Sequence, residues 1–205
     1  LVATPDYDLS QLPNQALSLP LLLVSPELLK DLSETPTPQG VLAVLELPSL
    51  PRDWQPSGQR YLILDAVQDP GNLGTLIRTA DAAAYDGVIL GKGTVDVYND
   101  KVLRASQGSL WHLEVVSLDL LQEARPAFEA AGIPWFVTAL HQEAKAYTDV
   151  PTDQALALVL GNEGQGVSEA VIQVADQTIY IPMPGQAESL NVAVAGGILM
   201  FYFQA

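Results

Sequence analysis

The sequence predicts an α/β fold, a mostly parallel sheet with helices on both faces, on three observations. From Tyr61 onward, short apolar runs alternate with stretches long enough for a helix. Most of those runs are continuous instead of alternating with polar residues, as strands covered on both faces require. Apolar residues make up 48% of the 205, enough to bury one good core, or one domain plus part of another.

Taken in order, residues 1–50 read as the end of a separate unit. Residues 21–24 form a short buried strand. Ser25, Pro26 and Glu27 open a helix with a capping hydroxyl and a proline in its first turn. Thr35, Pro36, Thr37 and Pro38 end it, and residues 41–45 form a second apolar strand. Two strands and a helix do not make a stable domain alone. Part of an N-terminal α/β domain is therefore expected to be missing, or this piece to pack on something else. The opening residue Leu1 fits the ordered part of a longer protein. Pro48, Pro51, Pro56 and Gly58 then make a stiff polar connection, which puts a linker at 51–60 and the main domain at 61–205.

Within that domain, strands are expected at 61–67, 87–90, 113–116, 135–140, 155–160 and 178–181. Helices are expected at about 73–84, 99–109, 119–131, 168–174 and 188–203. The longest apolar run, 192–203, is shorter than the roughly 20 residues that span a bilayer. No charged-then-apolar leader opens the chain, which is compatible with the cytoplasm. Cysteine is absent, excluding disulfides and thiolate metal sites, and with only His112 and His141 no zinc site is expected.

A net charge of −15 argues against nucleic acid, because phosphate contacts need Lys and Arg. The basic residues are unevenly spread, however. Arg60, Arg78, Lys92, Lys101 and Arg104, five of the nine, fall within one stretch of under fifty. A locally less negative face could meet RNA there.

Three segments carry candidate chemistry, each directly after a buried strand. In the first, Asp69 to Arg78, Pro70 and Gly71 make a tight turn and Asn72 or a neighbour caps the following helix. Asn72 and Arg78 lie about 600° apart on a helical wheel, so they share no stripe. This segment also reads as a cap and a surface arginine. The second runs from Leu160 through Gly161, Asn162, Glu163, Gly164, Gln165 and Gly166 to Ser168. Its three glycines let backbone groups approach a ligand, and a carboxylate among them can meet a cation. The order is neither the dinucleotide fingerprint nor a Walker loop. The third is a proline–glycine arch, residues 181–185, opening a helix that carries Glu188, Ser189 and Asn191. The two histidines read as structural groups, and Trp54, Trp111 and Trp135 as packing.

Together the three segments resemble the SpoU (TrmH-like) branch of the SPOUT RNA methyltransferases. The resemblance lies in NLGTLIRTADA, LVLGNEGQGVS and IPMPGQAESLNVAVA, in that order, with KVLRASQGSLWHL (101–113) between the first two. It covers residues 61–203, and residues 21–47 look like the end of the small substrate-binding domain that often precedes the catalytic one. The resemblance implies a C-terminal trefoil knot, with the last helix threaded through a loop. It implies S-adenosylmethionine held by Thr138, Ala139 and Leu140, by Leu160, Gly161, Asn162, Glu163 and Gly164, and by Ile181, Met183, Gly185, Ser189 and Leu190. It also implies a homodimer whose active site is shared between subunits.

The implied reaction is methyl transfer to a ribose 2′-hydroxyl in RNA, ribosomal RNA first and transfer RNA second. Arg78 resembles the family's catalytic arginine. Because a guanidinium is almost never deprotonated, its role is to position the hydroxyl or an adjacent phosphate before any role as base. Asn72, Glu163, Ser189 and Asn191 would orient substrate and cofactor or brace the dimer. The rival reading is a knotted RNA-binding or ribosome-assembly module without turnover. A nucleotide-binding enzyme of another kind lacks a phosphate-loop motif.

Overall fold

The structure, a computed structural model, describes residues 1–33, 35, 37–47, 53–140 and 143–204. Pro36, Pro48, Pro51 and His141 lie outside the described residues. The chain divides into two compact units, Leu1–Ser49 and Leu50–Ala205.

The first unit holds a three-stranded sheet in the order β2-β1-β3, with β1 at Val2–Ala3, β2 at Leu22–Leu23 and β3 at Val41–Leu42. One helix, α1 (Pro26–Leu32), is capped by the Ser25 hydroxyl, which accepts from Leu28 N at 3.2 Å. The strand expected at 21–24 forms, but it is not buried. Leu22 and Leu23 are 61% and 57% exposed, and only Val24 turns inward. The physical reason is coverage: β2 is an edge strand, and one seven-residue helix leaves much of so small a sheet open. The strand expected at 41–45 shortens to two residues, with Val44 and Leu45 exposed.

The second unit is built on a seven-stranded sheet. Its strands are β4 (Arg60–Asp65), β5 (Gly87–Leu90), β6 (Glu114–Ser117), β7 (Trp135–Thr138), β8 (Lys145–Ala146), β9 (Leu156–Gly161) and β10 (Gln177–Tyr180). They run in the order β6-β5-β4-β9-β7-β10-β8, with all pairs parallel. Among the described residues its α-helices are α2 (Pro70–Ala82), α3 (Asp100–Ser106), α4 (Arg125–Ala130), α5 (Glu169–Ile172) and α6 (Val192–Phe203).

Alternation along each strand feeds two cores. Leu62, Leu64, Leu158 and Leu160 pack under α2, α3 and α6, together with Leu76, Val102, Leu199 and Phe203. Tyr61, Ile63, Val137 and Val159 face the other way, toward Phe128 of α4 and Val171 of α5. Trp54 and Trp135 join that second core, as expected of packing tryptophans. Trp111 does not; it is 55% exposed.

Two helices open differently from the expectation. Helix α2 begins at Pro70 because the Asp69 carboxylate caps it, accepting from Asn72 N at 2.8 Å. Helix α6 begins at Val192, four residues later than expected. The Asn191 side chain is its cap, accepting from Ala193 N at 2.9 Å and Val194 N at 3.3 Å. Glu188 and Ser189 therefore belong to the preceding loop. Gly196 sets how closely α6 approaches its neighbours: a Cβ there would stand 2.5 Å from Leu76 Cδ2 on α2 and 2.8 Å from Leu160 Cδ1 on β9.

Candidate active site

The chain leaves β4 toward β5 and β6 on one side, while β9 pairs with β4 on the other. Such a reversal opens a crevice at the carboxyl ends of the two strands, where α/β proteins bind ligands. Here the crevice is occupied by a side chain of the protein itself. The Glu163 carboxylate accepts from Gln68 N at 3.2 Å, from Asp69 N at 3.0 Å and from Asn72 Nδ2 at 3.1 Å. It stands at the start of α2, where an anionic ligand would otherwise sit.

The network continues across the site. Asn191 Nδ2 donates to Asn72 Oδ1 at 2.9 Å, while the Asn191 oxygen caps α6. Glu163, Asn72 and Asn191 thus form one hydrogen-bonded line, with one residue from each of the three segments. Burial pushes the Glu163 carboxyl up, but the Asn72 amide and the Asp69 and Gln68 N–H groups outweigh it, leaving it below its ordinary 4.5. A lowered carboxylate stabilises the fold above that ordinary value and loses the contribution as pH falls through the lowered one.

Asn162 shapes the glycine loop. Its Nδ2 donates to Ala66 O at 2.9 Å, and its Oδ1 accepts from Gly164 N at 2.9 Å and Gln165 N at 3.1 Å. Its backbone pairs in both directions with Gly166. Ala66 is held at φ +59°, so the β4–α2 turn and the glycine loop are locked to each other.

Beside this network lies a cleft of about 290 Å³. Seven of the residues expected to hold the cofactor line it: Thr138, Ala139, Leu140, Ile181, Met183, Ser189 and Leu190. Gly166, Ile179, Tyr180, Glu188, Ala195 and Leu199 complete the wall. Leu160, Gly161, Asn162, Glu163, Gly164 and Gly185 are not among the lining residues. Leu160 is buried beneath α6, and Asn162 and Glu163 hold loops instead. Arg78 does not line the cleft either. It is exposed on α2, with no ion pair among the described residues.

The SpoU rRNA Methylase family model matches residues 59–201. The chain belongs to the SpoU rRNA methylase family. A curated relative, the 23S rRNA (guanosine(2553)-2′-O)-methyltransferase RlmP of Bacillus subtilis, is 43% identical over 182 residues, covering 89% of this chain and 71% of that protein. An uncharacterised tRNA/rRNA methyltransferase of Synechocystis is 35% identical over 179 residues, and the chain spans 65% of its length. Among solved structures, the SpoU methyltransferase AviRb from Streptomyces viridochromogenes, in complex with AdoMet, superposes with a TM-score of 0.85 at 29% identity, covering 99% of this chain and 80% of that one. An AdoMet-bound rRNA methyltransferase from Sinorhizobium meliloti gives 0.79 at 33%, covering 88% and 70%.

In this SpoU chain the lining residues missed from sequence sit on the end of a strand and on one face of a helix. Ile179 and Tyr180 belong to β10, and Ala195 and Leu199 share one face of α6, four residues apart. The Asp69 cap, which the sequence alone leaves open between Asn72 and its neighbours, has a signal in Asp followed by Pro at the first helical position. Removing the Asn191 side chain tests the network. Asn191→Ala is expected to lower unfolding free energy by about 1–2 kcal/mol, read by urea denaturation, because it takes both the α6 cap and the Asn72 bond.

Proposed function

We propose that the chain transfers a methyl group from S-adenosylmethionine to a ribose 2′-hydroxyl in RNA, with ribosomal RNA the substrate and transfer RNA the next choice. The observation that carries this reading is the Glu163–Asn72–Asn191 line beside an apolar cleft, in a SpoU chain. AdoMet is the named ligand of two of the similar structures, and a 2′-O-methylation of 23S rRNA is the named activity of the B. subtilis relative.

The cleft fits such a cofactor by its chemistry. Leu140, Ile181, Met183 and Leu190 offer apolar walls to a flat base and a methionine stem. Thr138 and Ser189 add hydroxyls, and Glu188 offers a carboxylate to a cationic group. When bound, S-adenosylmethionine supplies an electrophilic methyl on a sulfonium. The protein's own residues do the rest: the Glu163, Asn72 and Asn191 bonds fix the loops, and Arg78 positions the ribose hydroxyl or its neighbouring phosphate. Alignment of two reactants can supply much of the acceleration of such a step.

Arg78 stands outside the cleft, which supports a site completed by a second copy of the chain. Helix α6 supports the same conclusion. It carries no charged residue, and beyond its buried face it exposes Val194, Ile198 and Phe201, spaced i, i+4 and i+7. We infer a homodimer through this stripe. Phe201→Asp is expected to halve the mass seen by sedimentation at micromolar concentration and to take methyl transfer with it. The return of α6 onto α2 and the central β9 also supports the trefoil knot.

Among the described residues no helix is long and apolar enough to cross a membrane. With RNA as substrate we place the protein in the cytoplasm. Calorimetry with S-adenosylmethionine tests the enzymatic reading: a saturable heat at micromolar cofactor is expected, whereas no binding at millimolar concentration favours a module without turnover.

A further inference from the structure

Trp111 is the exposed tryptophan of the chain, at 55%, whereas Trp54 and Trp135 are 6% and 0% exposed. It sits in a 3₁₀ turn, Ser109–Trp111, directly after α3. Two left-handed residues, Gln107 at φ +52° and Gly108 at φ +92°, end that helix and redirect the chain.

The turn is anchored on both sides of the indole. Leu110 is buried in the core. Ser109 is also buried, and His112 Nδ1 stands 2.9 Å from Asp81 Oδ2 on α2, within hydrogen-bond distance. The ring is therefore held in place before any partner arrives, which removes an ordering cost from binding.

Its location is informative. Asp81 follows Arg78 by three residues, so the two share a face of α2 about 4.5 Å apart along the axis. The Trp111 turn is thus docked one helical turn from the arginine that addresses the ribose.

The local charge is less negative than that of the chain as a whole. Residues 101–113 contain Lys101 and Arg104 and no acid, in a chain whose total is −15. Of the flanking acids, Asp100 is engaged by Arg104 at 2.6 Å and Asp81 by His112, whereas Glu114, exposed at the start of β6, carries the one charge that Lys101 and Arg78 must outweigh. Lys101 and Arg78 are left in no ion pair among the described residues.

We propose that Trp111 is a stacking platform for an unpaired base of the RNA substrate, adjacent to the nucleotide whose ribose Arg78 positions. This rests on the reading of Arg78 given above. An indole face accepts any base, so the platform contributes affinity and register while leaving sequence choice to other contacts.

The experiment uses the whole protein with unmodified transcripts of 23S ribosomal RNA and of a transfer RNA. Because the other two tryptophans are buried, RNA-induced quenching of tryptophan fluorescence reports on Trp111. Wild type is expected to be quenched on binding, and Trp111→Phe to bind and methylate without that quench. Trp111→Ala should raise the KM for RNA by roughly tenfold to a hundredfold, leaving kcat within about twofold and S-adenosylmethionine affinity unchanged.

Bound RNA without quenching, or an unchanged KM in Trp111→Ala, overturns the proposal. So does a fall in sedimenting mass for Trp111→Ala at unchanged KM, which would assign the surface to a second copy of the chain. Failure of wild type to methylate either transcript sinks the methyl-transfer reading instead, since binding and quenching need no turnover.

Discussion

Replacing Arg78 by alanine is expected to abolish methyl transfer to RNA, lowering kcat by about 100-fold or more, while S-adenosylmethionine binds almost as tightly as before. The guanidinium is exposed, lies outside the cofactor cleft and packs into neither core, so its removal leaves the cofactor's walls and the fold intact. On the proposed role, what is lost is the alignment of the ribose hydroxyl with the methyl group, and misplacement by about 1 Å can alone cost about 100-fold. Single-turnover methylation beside cofactor calorimetry separates the two effects. Full activity in Arg78→Ala removes the assigned role. A parallel loss of cofactor affinity would mean that the side chain supports the cleft instead.

Gly161→Ala is the second change with a large expected effect, and it acts through the backbone. A Cβ at Gly161 would stand 2.1 Å from both Gly166 C and Val167 N and 2.4 Å from Gly166 O. Those atoms are main chain and cannot swing away. The Asn162–Gly166 pairing that closes the loop must open, and with it the placement of Gly166 in the cleft and of Glu163 against α2. We expect a loss of about 3 kcal/mol or more in unfolding free energy and no measurable cofactor binding. Gly164→Ala is the internal control. Its Cβ would meet only Asn162 Oδ1, at 3.6 Å, an ordinary contact, so stability should change by less than about 1 kcal/mol. Equal losses at the two positions would show that loop composition matters and the close approach at Gly161 does not.

The strands of the second unit were legible because a parallel sheet buried on both faces leaves continuous apolar runs. The strand expected at 87–90 falls on Gly87–Leu90, and the others are displaced only at their ends. Short strands such as Lys145–Ala146 leave no such run, since two residues at a sheet edge carry no periodicity. The first unit misled for the opposite reason: residues 21–24 are as apolar as a core strand, yet burial depends on what covers them.

At the site, the residue types were legible and their connectivity was not. Asn72, Glu163 and Asn191 stand out as polar residues in glycine- and proline-rich loops. That they join one another is a property of strand order, which brings positions 91 and 119 residues apart into contact. Capping at α6 shows the same limit. Glu188, Ser189 and Asn191 all suit a helix start, and only the side-chain geometry selects Asn191. Trp111 is the clearest divergence, because three tryptophans in one apolar-rich chain read alike until the turn at Gln107 and Gly108 carries one of them outward.

The most direct test of methyl transfer is to incubate the protein with methyl-labelled S-adenosylmethionine and unmodified ribosomal RNA, then map the label by alkaline hydrolysis. A 2′-O-methyl ribose blocks cleavage of the bond on its 3′ side, so label is expected in an alkali-resistant dinucleotide at one defined position. Label on a base, or tight cofactor binding with no label in ribosomal or transfer RNA, would contradict ribose methylation by this chain.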